Sequence, residues 1–275
     1  MMRGRPDNRH DATGTPGHVE FTTDTRAGMR YPTLTITGSH TLASCPSRLP
    51  APGEILLWRL RGEWQLVTSE RGHLYLSKTE LRRARTHPNR AHGRRFAIGR
   101  SALRAILGTL AGRAADELTL IDRDADHIAV AGCDVLDGLD AVVGHAGIWI
   151  VIAIARGPIG LGIGQTSALA DPVSRDQLRL DSISNACGTG HGATLDSLAP
   201  LAGAFREVDT PHAGHWRLLD IPLSGLACAA TVAARQMDRV HAVGWRGERK
   251  DWLADRDRHL RAAKARGAAA CAAGG

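Results

Sequence analysis

Apolar residues run almost unbroken from Ile148 to Ile154. The run is too apolar for a strand buried on one face and too short to cross a membrane, so it predicts a central core strand over 148–156. A second apolar strand is predicted over 159–163, joined to the first by a tight Gly157-Pro158 turn to form a hairpin. In that second strand Gly160, Gly162 and Gly164 alternate with apolar residues, so one strand face carries no side chains. A helical pattern stands upstream: between 80 and 113, Phe96, Leu103, Ile106, Leu107 and Leu110 share one arc of about 100°. Ser77 with Glu80 gives this helical region a capping-box start.

The remaining pattern sets the organisation. Glu54–Leu60 predicts a first strand, and 118–140 two weaker strands. Residues 166–178 read as a polar connection, 179–187 as a short helix, and 204–208, 216–221 and 226–234 as strands. The helix-then-strands order recurs, which predicts an α+β protein of two similar halves related by pseudo-two-fold symmetry. Each half is a helix packed on a small, mainly antiparallel sheet, and the halves span 53–157 and 158–245. Residues 1–52, rich in Gly, Pro, Thr and Arg, read as a disordered tail in which 31–37 is able to add an edge strand. Residues 246–275 read as a charged C-terminal helix or tail.

Composition adds a positive surface. The 275 residues carry 35 Lys and Arg against 28 Asp and Glu, a formal charge of +7, mostly as arginine. Such a surface either favours anionic partners (phosphates, an acidic protein or nucleic acid) or reflects the arginine codons of a high-GC genome spent on a solvated surface. Zinc-finger spacings and a helix-turn-helix signature are lacking and aromatics are few, so nucleic acid ranks as the last of the three. Five scattered cysteines without a CxxC pair argue against a disulfide framework and a zinc site. With no leader-like segment and no long apolar run, the expectation is a soluble, cytoplasmic, monomeric protein without a membrane partner.

Candidate chemistry lies near the two strong patterns. Arg100 and Arg104, one turn apart at the edge of the helical arc, either face a cleft or merely bury their stems at a helix rim. Arg82, Arg83, Arg85, Arg90, Arg94 and Arg95 cluster around Pro88, where a solvated loop is expected. His145 precedes the core strand, as a ligand contact or as a capping or surface histidine.

Together, the ILLWRL strand, the helix with Arg95, Phe96, Arg100, Leu103 and Arg104, and the strand with Gly160, Gly162 and Gly164 resemble the duplicated-domain type of 4′-phosphopantetheinyl transferase. The resemblance spans roughly residues 54–235. It implies transfer of phosphopantetheine from coenzyme A to a serine of an acyl- or peptidyl-carrier protein, as in secondary metabolism. It also implies contacts from His145, Arg100, Arg104 and Arg95 to coenzyme A. The departures are as telling. The family's Ser-His pair is Gly144-His145, and its metal-binding aspartate and glutamate are Gly162 and Gly164. Its helix glutamate is Asp181, and its second helix lysine is Asn185.

Transfer needs Mg²⁺ on the pyrophosphate and a base for the serine. Asp181 alone stands at an expected ligand and catalytic position, unless Asp140 or Asp171 substitutes. The resemblance therefore implies an impaired transferase. The alternatives are a catalytically inactive homologue (a pseudoenzyme) that binds coenzyme A or a carrier protein, and, last, a basic nucleic-acid binder. Restoring Gly162→Asp with Gly164→Glu is expected to raise Mg²⁺ affinity.

Overall fold

The computed structural model describes residues 18–21, 32–37, 46–62, 75–123, 127–165, 172–187, 199–202, 204–210, 214–223 and 228–245. The fold is α+β. An eight-stranded sheet contains β1 (His18–Phe21), β2 (Thr33–Thr37), β3 (Glu54–Arg61), β4 (Thr119–Asp122), β5 (His127–Ala131), β6 (Leu139–Ala146), β7 (Trp149–Arg156) and β13 (Arg239–Val243). A five-stranded sheet contains β8 (Ile159–Gln165), β9 (Ala199–Ala202), β10 (Phe205–Thr210), β11 (Gly214–Leu223) and β12 (Cys228–Ala234). The helices are α1 (Lys78–Thr86), α2 (Arg90–Ala111) and α3 (Pro172–Cys187).

The sheets bury one face against each other. Leu57, Val142, Val151 and Ala153 of the larger sheet share a core with Leu161, Leu219, Ile221, Ala230 and Val232 of the smaller one. On its other face the larger sheet packs Trp58, Val143, Ile150 and Ile152 against Ile98, Leu103, Ile106 and Leu107 of α2. Ile183 of α3 joins Val208, Trp216 and Leu218 on the outer face of the smaller sheet. β7 is buried along almost its whole length because both of its faces are covered, which is why its sequence is continuously apolar.

Strand order is where the expectation of a hairpin at 148–163 fails. β7 pairs antiparallel with β6 and β3, and β8 pairs with β12 in the other sheet. Gly157, with φ of 90°, and Pro158 carry the chain from one sheet to the other instead of closing a hairpin. The hairpin that does form is β6–β7, turning at Gly147-Ile148 with Gly147 at positive φ. The order is β3-β7-β6-β5-β4 in one sheet and β8-β12-β11-β10-β9 in the other. In both runs the first strand pairs with the last, and the rest meander outward.

Other expectations shift in place. Within the 1–52 stretch read as a tail, β1 and β2 join the larger sheet, and β2 lies parallel to β13 with Leu34 and Ile36 in the core. The polar connection read over 166–178 is helical from Pro172, so the short helix read over 179–187 begins about two turns earlier. Pro88 and the extended His87 separate α1 from α2, so the arginines around them belong to two helix ends and not to one loop. Residues 246–275 lie outside the described residues. Among those described, no helix is long and apolar enough to cross a membrane.

Candidate functional site

The α1–α2 pair is built to hold its side chains against the larger sheet. Ser77 caps α1, accepting from the Glu80 N–H at 3.2 Å, while Glu80 accepts from the Ser77 N–H at 2.8 Å, the capping box expected from sequence. Asn89 caps α2 through the N–H groups of Ala91 and His92. At Gly93 a Cβ would come 2.2 Å from the Ala84 carbonyl oxygen, so glycine lets the two helices cross in backbone contact.

Between these helices and β5–β6 lies a cavity of about 210 Å³. Its polar lining is Arg83, His87, His92, Arg100 and His145, and its apolar lining is Phe96, Ile128 and Val143. His145 reaches it because alternation along β6 turns Val143 and His145 towards the helices and Val142, Gly144 and Ala146 towards the other sheet. Phe96 fixes the cations: the guanidinium carbon of Arg83 lies 4.5 Å from its ring centre and that of Arg100 lies 5.5 Å away. The His87 and His92 rings stack at 5.7 Å.

Electrostatics make the cavity receptive to anions. Arg100 is 5% exposed, and burial lowers its pKa to about 10, with Glu80 opposing the shift and Arg83 and Arg104 adding to it. Burial likewise pushes the His145 imidazole below its ordinary range, reinforced by the nearby His92 and Arg95. Both shifts have one cause, burial that disfavours the positive form, and Arg100 keeps carboxylate partners in Glu80 and Asp122.

Of the residues expected from sequence, Arg100 and His145 meet in this cavity, and Arg104 does not. Arg104 is 3% exposed and donates to Glu80 at 3.0 Å and to the Leu118 carbonyl at 2.5 Å, tying α2 to α1 and to the start of β4. Its cleft-facing reading is corrected to a structural one. Arg95 stands close enough to influence His145 but is not among the lining residues. Asp181 accepts a hydrogen bond from Gln177 on its own helix at 2.8 Å and does not reach the cavity. Asp140 sits beside His127 at 3.1 Å, and Asp171 lies outside the described residues.

The glycine face of β8 proves to be a seat for α3. A Cβ at Gly160 would come 1.9 Å from the Ser182 carbonyl oxygen, and one at Gly162 would come 1.9 Å from that of Leu178. Helix backbone therefore fills the space at Gly162, where the resemblance implies an aspartate, whereas a Cβ at Gly164, its glutamate position, would meet only the Leu178 side chain at 3.2 Å. Among the described residues no group of three or more His, Cys, Asp or Glu is placed to hold a metal ion. In the expected restoration of Gly162→Asp with Gly164→Glu, the aspartate at 162 would meet α3 backbone, whereas a glutamate at 164 would meet only the Leu178 side chain. Gly144 has a parallel explanation: a Cβ there would come 2.5 Å from Ile163, so the serine of the family pair has no space beneath β8.

Sequence reasoning did not assign Arg83, His87, His92 and Phe96 to a site. The available signal was the cationic cluster flanking a helix break at Pro88, since two helix ends converging on one sheet bring such residues together. Comparison with known protein families and with curated proteins finds no match for this chain.

Proposed function

We propose that this chain is a 4′-phosphopantetheinyl transferase-like protein that binds coenzyme A through its phosphates and does not carry out Mg²⁺-dependent transfer. The observation that supports this reading is the meeting of Arg100 and His145, far apart in sequence, in one cavity with Arg83, His87 and His92. The common strand order of the two sheets supports descent from a duplicated half with pseudo-two-fold symmetry. The buried Arg100 and the exposed Arg83, both against Phe96, offer charge-assisted hydrogen bonds to phosphate oxygens, and the imidazoles add donors when protonated.

Transfer is left out of the reading because β8 offers glycine at both positions where the chemistry requires carboxylates, with α3 backbone seated on Gly162. Arg82, Arg85, Arg90 and Arg94 are exposed around the same two helices and give an acidic carrier protein a complementary face. Labelled coenzyme A, a panel of carrier proteins from the source organism and Mg²⁺ test the proposal. The expected result is retention of coenzyme A by the protein in equilibrium dialysis with no label on any carrier. Label on a carrier that is lost in Asp181→Ala would contradict it.

A further inference from the structure

Two guanidiniums of the cavity already share a carboxylate. Arg83 Nη1 donates to Asp122 Oδ2 at 2.8 Å, and Arg100 pairs through Nη2 with Asp122 Oδ1. Asp122 closes β4, and its side chain is 45% exposed, whereas that of Arg100 is 6% exposed. Arg100 Nη1 is buried with no hydrogen-bond partner among the described residues. The other carboxylate in reach, Glu80, lies 3.8 Å from Arg100 Nε and is committed to Arg104 and to the Ser77 N–H.

We propose that Asp122 is a displaceable stand-in for a ligand phosphate, its carboxylate holding Arg83 and Arg100 in the free protein and turning to solvent when a phosphate or pyrophosphate group takes both. The proposal rests on the reading of the cavity as a phosphate site. A carboxylate has two oxygens, and here each already serves one arginine. A phosphate brings at least three acceptor oxygens and more charge, enough to satisfy both guanidiniums and the orphan Nη1. The exchange needs only side-chain rotation. Asp122 pairs with Ile128 in the β4–β5 ladder, and the Arg123 N–H donates to the His127 carbonyl at 3.0 Å, so the backbone stays fixed.

Calorimetry of the full chain with pyrophosphate and with coenzyme A, for wild type and Asp122→Asn, tests this. Removing the resident charge is expected to tighten both ligands by about tenfold. Equal or weaker binding by Asp122→Asn would overturn the proposal while leaving the cavity reading intact. Absence of binding by both proteins would overturn the cavity reading and the proposal with it. If the variant does not fold, arginine side-chain ¹⁵Nε resonances of wild type decide. Pyrophosphate should shift Arg83 and Arg100 together and leave Arg104 in place, and unmoved Arg83 and Arg100 at saturation would overturn the proposal.

Discussion

Replacing Gly162 with alanine adds one methyl group at the place where β8 and α3 touch backbone to backbone. That methyl would lie 1.9 Å from the Leu178 carbonyl oxygen, 2.8 Å from its carbon and 3.1 Å from the Ser182 nitrogen. Ordinary contact is near 3.5 Å, so α3 must retreat by about 1.5 Å at this point. None of these neighbours is a side chain, so no rotamer change relieves the clash. The retreat also strains what holds α3 down: Asn185 donating to the Leu161 carbonyl at 2.8 Å, and Arg179 paired with the buried Asp220 through Nε at 3.1 Å. Overpacking costs about 1–3 kcal/mol, and a broken buried pair about 3–5 kcal/mol. Gly162→Ala is therefore expected to lose about 3–5 kcal/mol. Gly164→Ala, whose methyl meets only the Leu178 Cδ2 at 3.2 Å, should lie within about 0.5 kcal/mol of wild type. Urea unfolding followed by far-ultraviolet circular dichroism measures both. A Gly162→Ala protein within about 1 kcal/mol of wild type would show that α3 is not seated there, and would reopen the strand to carboxylates.

Arg104→Ala should cost about 3–5 kcal/mol because it strands the buried Glu80 and two carbonyls, and urea midpoints will show it. Ser77→Ala should cost about 1 kcal/mol through loss of the capping box; an unchanged midpoint would mean that α1 does not depend on it. His145 titrates below its ordinary value in the fold, so protonation favours the unfolded chain. Stability is then fully present above about pH 6.5 and declines as pH falls below it, a slope that His145→Gln should flatten between pH 7.5 and 5.5.

How much of this was legible in the sequence follows from what each pattern encodes. The apolar run of β7 announced a strand covered on both faces, and the capping box at Ser77 announced the start of α1. Pairing was not legible, because two consecutive apolar strands look alike whether they form a hairpin or pass between sheets, and Gly157-Pro158 suits both. The first turns of α3 were hidden by Arg175 and Asp176, charges that usually mark a solvated stretch; Asp176 instead accepts from Arg179 at 2.6 Å, one turn on, whose guanidinium also meets the buried Asp220. At the site, helical period put Arg100 and Arg104 at one edge. It could not say that one turns into the cavity and the other onto Glu80, since that depends on where α1 crosses α2. The bare glycine face was visible, but its cause was not: a close approach of helix backbone and a lost ligand set leave the same residues in the sequence.

The central claim, binding of coenzyme A phosphates without a metal, is tested most directly by calorimetry of wild type and Arg100→Gln with coenzyme A, in Mg²⁺ and in chelator. Equal affinity of wild type in the two conditions, with loss of at least about tenfold in Arg100→Gln, is the predicted result. Affinity that appears only with Mg²⁺, or binding that Arg100→Gln leaves untouched, would contradict it.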